Sequence, residues 1–414
     1  MKKPALFRGV NTNILSLSFA RFADALGNSL MFVLLPLYIT SLPAPNLPWE
    51  ESILVSVTLS LYGLVNTFLQ PMVGMLTDRV SRRKPLILIG LLVMGLGTGS
   101  FTIARTFSDL LIIRLLQGIG VALTVPASLA IINSSSIKES RGRSMGFYST
   151  LRLLGFAIGP LAGGFLHLRF GFETAFYVGA GVTLLGSLAV LIWVHETPAP
   201  ARENDSGASL AILDPEVWNK DIISLGAAMF MMASAYSMMS ALENEFNVRL
   251  QQTSLGFGIA FSALTVSRMI VQTPLGYLSD KIGRKPLIVI GLILMAPATV
   301  LLGLVGTTLQ LTGARALQGI TSAAVSSPAF ALVGDLSTEA GEGRQMSIIT
   351  TGFFLGIAIG PLIAGFFSQI AFFLPFAIGG VMLLIGALIV YLFVPESGDF
   401  VGLGVWYNEV RYGK

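Results

Sequence analysis

The sequence predicts an all-α integral membrane protein with twelve membrane-spanning helices, built as two parallel six-helix repeats. Composition gives the first observation: 53% of the 414 residues are hydrophobic, only 12% are charged, and the mean hydropathy is +0.77. A soluble globular domain carries about 25% charged residues. This chain therefore has too few polar side chains to cover a surface in water.

The second observation is the length of the apolar stretches. A helix needs about 20 apolar residues to cross a bilayer. By that length, twelve spans are predicted at residues 13–41, 52–76, 85–104, 109–131, 144–167, 172–194, 221–243, 254–278, 286–306, 309–332, 346–368 and 371–394. The first run contains Arg21 and Asp24 and no small-residue cleavage site follows it, so we expect a retained span rather than a signal peptide.

The third observation is an internal repeat. The segment RLLQG at Arg114–Gly118 returns as RALQG at Arg315–Gly319, and GFAIGPLAGG at Gly155–Gly164 returns as GIAIGPLIAG at Gly356–Gly365. Both pairs share one offset of 201 residues, so the chain is two copies of one unit. Each copy has six spans, an even number, and the copies therefore share one orientation in the membrane.

The distribution of basic residues predicts the topology. Eighteen of the 26 Lys and Arg residues lie in loops assigned to one side and three in loops assigned to the other. The positive-inside rule then places both termini in the cytoplasm, with a bacterial inner membrane as the location. Because the basic residues lie in loops beside the membrane, their positive charge does not indicate a nucleic-acid partner. The predicted domains are an N-terminal half at 1–195, a cytoplasmic linker at 196–220, a C-terminal half at 221–394 and a cytoplasmic tail at 395–414.

Several functional classes are disfavoured by what the sequence lacks. There is no cysteine, and the two histidines, His167 and His195, do not have the helical spacing of a metal pair. No Gly-rich phosphate loop of the Walker type occurs, which argues against ATP as the energy source. We therefore expect neither an enzyme nor a bound cofactor.

Two loops carry a repeated basic motif. GMLTDRVSRRK begins at Gly74 and GYLSDKIGRK begins at Gly276, each between two apolar runs. Glycine permits a tight turn and close approach of neighbouring helices at both positions. The motif residues are Gly74, Asp78, Arg79, Arg82 and Arg83 in the first loop, and Gly276, Asp280, Lys281, Arg284 and Lys285 in the second. A plain turn with topology-determining charges is the alternative to a gating loop.

Together these motifs resemble the major facilitator superfamily. The two basic loops are similar to its signature, and the glycine-rich segment of span 5 resembles that of its drug:proton antiporters. Span 1, with Asp24 before Pro36, is similar to the first span of tetracycline-type exporters. The resemblance implies that Asp78 and Asp280 belong to a cytoplasmic latch between the halves, and that Arg114 assists proton movement. The alternative for Arg114 is an interhelical hydrogen bond to a carbonyl or to Asp24.

Small residues in spans 5 and 11 predict close helix packing. Glycines at four-residue spacing on one helix face let two backbones approach, and a proline removes a backbone donor and can kink a span. Tight packing and a hinge for alternating access both remain open. The residues are Gly155, Gly159, Pro160, Gly163 and Gly164 in the first half, and Gly356, Gly360 and Pro361 in the second.

Ionisable residues inside the membrane are candidates for function because they are costly to bury. Asp24 is the one clear mid-span carboxylate, and it is predicted to bind a proton or a cationic substrate. Arg21 lies three residues away, so a structural ion pair is the alternative. The other buried cations are Arg114, Arg152, Arg268 and Arg315. The last three favour an anionic or amphoteric substrate.

Glu243 and Glu245 lie where span 7 meets the membrane surface. We interpret them as a solvated helix end in preference to a second acid for protons or substrate.

The combined prediction is a proton-coupled exporter of amphipathic small molecules or drugs that works by alternating access. The expected partners are its small-molecule substrate, protons and membrane lipid, with the protein acting as a monomer. A metabolite, siderophore or lipid exporter on the same frame is the alternative transporter, and a membrane sensor or receptor is the alternative outside transport.

Overall fold

The computed structural model describes residues 11–43, 49–136, 141–196, 219–336 and 342–396, and every regular element in these ranges is helical. The helices are α1 (Thr12–Ser41), α2 (Glu51–Arg79), α3 (Lys84–Ser100), α4 (Phe107–Ser135), α5 (Arg141–Trp193), α6 (Lys220–Ser237), α7 (Glu243–Leu250), α8 (Ser254–Ile282), α9 (Arg284–Leu302), α10 (Thr308–Leu336), α11 (Glu342–Ser368) and α12 (Leu374–Phe393). Two 3₁₀ turns, Phe101–Ile103 and Met238–Ala241, follow α3 and α6. The predicted all-α class is confirmed.

Eleven helices in the described ranges are long and apolar enough to cross a membrane. One of them, α5, has 53 residues, which at 1.5 Å per residue is about 80 Å and far exceeds one bilayer. Its backbone leaves the helical region at Gly171, with φ of 80° and ψ of −177°. Glycine reaches this conformation without a steric penalty. Because α5 is thus two spans joined at Gly171, the described part of the chain accounts for the twelve predicted spans.

The two basic loops begin later than predicted. Gly74 and Gly276 were expected at tight turns, and that expectation is wrong because α2 continues to Arg79 and α8 to Ile282. The turn after α8 uses Gly283 instead, which has a φ of 99°. The helices run on because each further residue keeps its backbone N–H and C=O groups hydrogen-bonded within the helix.

The chain divides into two compact units. The first comprises residues 1–208 and 243–262, and the second comprises residues 209–242 and 263–414. Buried aliphatic residues of α1, α3 and α4, such as Leu17, Leu91 and Ile131, form a core in the first unit. The second unit has its own core between α6, α9, α10, α11 and α12. The predicted linker and tail lie almost entirely outside the described residues, and the predicted domain boundaries stay a prediction.

Large apolar side chains cover the outer faces of many helices. Phe68, Ile103, Ile270, Tyr277 and Leu309 are each more than 60% exposed. Soluble proteins seldom expose so many large apolar side chains to water. Lipid chains are the natural environment for these faces, as expected of a multi-pass membrane protein.

Candidate functional site

The candidate site of the first unit is centred on an ion pair inside α1. Asp24 is 2% exposed, and its Oδ2 accepts a hydrogen bond from Nη1 of Arg21 at 2.5 Å. The two residues are one helical turn apart, so the backbone of α1 holds them together. Asp24 lies 12 residues from the start of α1, which corresponds to about 18 Å along the helix. The carboxylate therefore sits deep inside the span.

This ion pair leaves two polar atoms unsatisfied. Oδ1 of Asp24 and Nε of Arg21 are buried and have no hydrogen-bond partner in the described part of the chain. A buried polar atom without a partner costs free energy, which a proton or a ligand can recover. The Arg21–Asp24 ion pair, the alternative considered from the sequence, is therefore present, and its unsatisfied atoms can still bind a proton or a ligand.

A second arginine and a tyrosine lie close to the pair. Arg152 of α5 is near enough for its charge to act on Asp24. Tyr62 of α2 is partly buried and lies within electrostatic range of Asp24, Arg21, Arg114 and Arg152. The structure thus brings four of the predicted site residues around one tyrosine ring. Two arginines, Arg21 and Arg152, therefore act on the Asp24 carboxylate, and Arg114 shares Tyr62 with them.

Arg114 of α4 belongs to a chain of hydrogen bonds. Its Nη1 donates to Oε1 of Gln117 at 3.2 Å and lies 3.5 Å from Oδ1 of Asn28. Nε2 of Gln117 then donates to the hydroxyl of Thr98 at 3.0 Å. The guanidinium also lies 5.4 Å from the ring centroid of Tyr62, within cation–π range. The interhelical hydrogen bond considered for Arg114 is real, but its acceptor is Asn28 rather than Asp24.

The second unit repeats this chain of hydrogen bonds. Nη1 of Arg315 donates to Oε1 of Gln318 at 2.8 Å, and Nε2 of Gln318 donates to the hydroxyl of Thr299 at 2.9 Å. In place of an asparagine, the backbone oxygen of Tyr236 accepts a hydrogen bond from Arg315 at 2.8 Å. The matched geometry shows that the 201-residue repeat extends to side-chain contacts.

Arg268 of α8 is partly exposed and lies in the same unit. Its Nη2 donates to Oγ of Ser326 at 3.0 Å, and its guanidinium carbon lies 5.7 Å from the ring centroid of Phe353. It also shares a side-chain hydrogen bond with Tyr236. Arg268 and Arg315 therefore both contact Tyr236, one at the side chain and the other at the backbone.

Glu243 is not the solvated helix end that the sequence suggested. It is 0% exposed, and only Asn247, at 3.5 Å, lies near its Oε1, while Oε2 has no partner in the described part of the chain. In the chain, Glu243 follows the 3₁₀ turn Met238–Ala241 and begins α7. Glu245 is half-buried, and burial raises the pKa of its carboxyl to about 6.

The second basic loop forms an ion-pair cluster. Nη1 of Arg284 lies 2.5 Å from Oδ2 of Asp335, and Nη2 lies 3.7 Å from Oδ1 of Asp280. Asp280 is largely exposed at 61%. The side chain of Asp78, its counterpart in the first loop, lies outside what the structure describes. In the second loop the structure thus describes two acids beside the start of a basic helix, and the latch stays a prediction.

The glycine motif of α5 makes close contact with α1. A Cβ atom at Gly155 would stand 2.5 Å from the backbone oxygen of Phe22, and one at Gly159 would overlap Oγ of Ser29. In the second unit, Cβ atoms at Gly356 and Gly360 would meet backbone atoms of α6 in the same way. Small residues are required at these positions. Close packing, one of the two alternatives, is therefore present, and the hinge stays a prediction.

Comparison with protein families decides the identity of the fold. A model of the Major Facilitator Superfamily matches residues 17–260 and 222–400. The chain belongs to this superfamily. It is therefore a membrane transporter by family, and the predicted fold class and resemblance are both confirmed.

Relatives within the superfamily include named efflux pumps. A Lactococcus lactis protein named "Multi-drug resistance efflux pump PmrA homolog" is 28% identical over 375 residues, covering 88% of this chain and 90% of the relative. The Streptococcus pneumoniae serotype 4 protein "Multi-drug resistance efflux pump PmrA" is 25% identical over 362 residues, covering 86% and 90%.

A solved facilitator structure has the same fold. It is a bacterial homologue of the human lysosomal transporter Spinster in an inward-facing and occupied conformation. Its TM-score is 0.73 at 16% identity, covering 92% of this chain and 95% of that one.

Sequence reasoning missed several residues of this facilitator's site. Thr98 and Thr299 differ by the same 201 residues as the two arginine motifs, so the repeat offset alone was sufficient to find them. Asn28, Tyr62 and Tyr236 carry no such signal, because their part in the site arises from helix packing. Their discovery required the structure.

Proposed function

We propose that this chain is a proton-coupled exporter of amphipathic small molecules that works by alternating access in a bacterial inner membrane. The observation that carries the proposal is Asp24, a mid-span carboxylate with one oxygen paired to Arg21 and the other without a partner in the described chain. Coupling sites of two-half transporters lie near the bilayer midplane. The names of the two efflux-pump relatives support a broad substrate range.

The coupling mechanism follows from the competition for Asp24. Burial favours the neutral acid, whereas Arg21 and Arg152 favour the carboxylate. A conformational change that separates Asp24 from a cation, or admits water to it, shifts this balance and binds or releases a proton. A cationic substrate competes with that proton for the same carboxylate. The proton is the only coupling ion proposed, and the monomer is the working unit.

The basic loops are proposed to govern the conformational change. Exchange of Asp78 for Asn is expected to impair flux while leaving ligand binding intact, and Asp280→Asn is expected to do less. Normal flux in Asp78→Asn at matched expression would leave the loop with a structural role only.

The proposal is tested in liposomes with the membrane potential clamped by valinomycin and equal potassium. An imposed pH gradient should drive transport of tetraphenylphosphonium, a lipophilic cation, against its own gradient. Equal flux with and without the pH gradient would mean that transport is not proton-coupled. Ligand binding without any flux would identify a sensor instead.

A second candidate is an exporter of a specific metabolite, siderophore or lipid. Arg268 and Arg315 favour it, because two arginines inside the membrane suit an anionic or amphoteric cargo better than a simple cation.

A further inference from the structure

Glu243, the first residue of α7, is a buried carboxyl group that has no ion pair with any described residue. It is 0% exposed, and its Oε2 has no hydrogen-bond partner in the described part of the chain. Nδ2 of Asn247 lies 3.5 Å from Oε1, while Oδ1 of Asn247 is likewise buried and without a partner. An ionised carboxylate without a counter-charge is far more costly to bury than the neutral acid. These surroundings therefore favour a protonated Glu243.

Asp24 has different surroundings in the same compact unit. Arg21 donates to its Oδ2 at 2.5 Å, and the charge of Arg152 also acts on it. Positive charge nearby favours the ionised form of an acid, and burial without such charge favours the neutral form. The unit thus contains one buried acid beside two arginines and a second buried acid without a cation, so their protonation states are expected to differ.

The two acids lie at different depths along α1. Nδ2 of Asn244, the residue after Glu243, donates to the backbone oxygen of Pro36 at 3.0 Å. Pro36 lies 12 residues beyond Asp24, which corresponds to about 18 Å along the helix. Glu243 is therefore not part of the Asp24 site but belongs to the far end of α1.

The burial of Glu243 depends on the packing of α7. Besides its bond to Pro36, Asn244 donates to Oε1 of Glu51 at the start of α2. The helix α7 has eight residues, Glu243–Leu250, and a helix this short is not stable without such tertiary contacts. Asn244 therefore holds α7 against α1 and α2, and a movement that breaks its two hydrogen bonds would bring water to Glu243.

The charged groups around the start of α7 are mostly acidic. Glu50 and Glu51 at the start of α2 and Arg249 on α7 are near enough to act on the carboxyl group of Glu245. The described side chain that acts on Glu243 itself is the neutral Asn247. A surface with an excess of one sign of charge raises the local concentration of the opposite ion, so this acidic surface favours the arrival of protons.

We propose that Glu243 is a second proton-binding group, which holds a proton while α7 packs against α1 and releases it to water when the two helices separate. Ionisation of the carboxylic acid transfers the proton to the entering water and leaves a carboxylate. Asn247 can serve both forms, because its amide accepts a hydrogen bond from the neutral acid and donates one to the carboxylate. This inference rests on the proposed proton-coupled export and deepens it, since it adds a second acid to Asp24 and names the helix that exposes it.

Infrared spectroscopy of the full chain in nanodiscs tests the protonation directly, because a carboxylic acid has a C=O stretching band that a carboxylate lacks. At about pH 7.5, carboxyl groups with ordinary pKa values near 4 are ionised. Glu245, with a pKa of about 6, is then mostly ionised as well. Subtracting the spectrum of Glu243→Gln from that of the wild type should leave one carboxylic acid band. No gradient is applied, so failure of proton coupling at Asp24 leaves this result unaffected.

Two further variants separate the protonation of Glu243 from general effects of substitution. Glu173→Gln removes an exposed glutamate of the same unit and is the matched control, since it should leave the carboxylic acid band unchanged. Asn244→Ala removes the two hydrogen bonds that α7 makes to α1 and α2. The band assigned to Glu243 should lose intensity in this variant, because water then reaches the carboxyl group.

Identical carboxylic acid bands in the wild type and Glu243→Gln would overturn the proposal, because Glu243 would then be ionised in the folded protein. A band of full intensity in Asn244→Ala would also overturn it, since the packing of α7 would not control the proton. If Glu243→Gln does not fold, Glu243→Asp keeps an acid in a different position and should shift the frequency of the band. A band that does not move in Glu243→Asp would contradict its assignment to Glu243.

Discussion

Burial alters the chemistry of individual carboxyl groups at the start of α7. Glu245 is half-buried, and the loss of hydration raises the pKa of its carboxyl from the usual 4.5 to about 6, with the nearby Glu51 adding to the effect. The folded state therefore holds more protons than the unfolded state between these two values. The free energy of unfolding therefore falls as pH rises from 4.5 to about 6. Above that pH the partly buried, charged carboxylate destabilises the fold by a constant amount.

Replacing Glu245 by Gln should remove that cost. At about pH 7.5 the variant is expected to be more stable than the wild type by about 1 to 2 kcal/mol, allowing for partial solvent screening. At about pH 5 the two should melt at nearly the same temperature, because the wild-type carboxyl is then mostly protonated. Thermal unfolding in detergent measures both. A stability difference that does not depend on pH would contradict the raised pKa.

The repeat predicted residue contacts where both copies kept the same residue. Arg114 and Arg315 were found from the sequence, and each heads the same hydrogen-bonded chain. The burial of Glu243 was not predictable, since hydropathy places it at the edge of a span. Tertiary packing determines the burial of a residue at such an edge.

At the scale of helices, the glycine face of α5 sets the distance to α1. A methyl group at Gly159 would overlap Oγ of Ser29 and stand 2.7 Å from the backbone oxygen of Leu26. The variant Gly159→Ala should therefore destabilise the protein by about 1 to 3 kcal/mol through overpacking. Gly181, in the same long helix, has no atom within 4 Å of the corresponding position.

Gly181→Ala is thus the matched control for Gly159→Ala, and it should be neutral or slightly stabilising because alanine favours helix. Thermal unfolding of both variants gives the comparison. Equal melting temperatures for the two would show that α1 and α5 do not depend on this close approach.

Two glutamates cap the helices that follow the basic loops, a feature that sequence reasoning missed. Both oxygens of Glu196 lie 2.8 Å from the backbone nitrogen of Arg83, and Oε2 also accepts from that of Lys84 at 2.8 Å. Oε1 of Glu396 accepts from the nitrogens of Arg284 and Lys285 at 3.0 and 3.4 Å. An anion is stabilising at a helix N-terminus because it satisfies free N–H groups and complements the helix dipole.

Glu196→Gln should weaken the start of α3 by about 0.5 to 2 kcal/mol, and Glu396→Gln should have a smaller effect on α9 because its hydrogen bonds are longer. Hydrogen exchange measured by mass spectrometry should detect the lost cap as faster amide exchange in the first turn of the affected helix. Each variant serves as the control for the other. Faster exchange in both helices from one substitution would indicate general destabilisation rather than loss of a cap.

For the whole molecule, hydropathy and the repeat were sufficient to predict the fold class, while the ends of the spans were not predictable from them. The four helices α2, α4, α8 and α10 each have 29 residues and continue past their apolar stretches. Helix ends depend on caps and turn geometry, such as Gly283, rather than on hydropathy. The join at Gly171 likewise required backbone geometry.

Topology is the whole-molecule prediction that cysteine labelling tests, since the natural chain has no cysteine. Asn204→Cys, in the predicted cytoplasmic linker outside the described residues, should resist an impermeant maleimide in intact cells. Arg105→Cys, in a loop predicted to face the other side, should be labelled and is the positive control. Labelling at position 204 without permeabilisation would reverse the orientation.

The most direct test of the central claim is pH-gradient-driven transport by variants of Asp24. Asp24→Asn mimics the protonated acid, so gradient-driven flux of tetraphenylphosphonium in liposomes should be lost while the protein still folds. If Asp24 served only to pair with Arg21, the double variant Asp24→Asn, Arg21→Gln would no longer leave a buried arginine unpaired and flux would return. We predict that both variants remain uncoupled, and recovery of proton-driven flux in the double variant would contradict a proton site at Asp24.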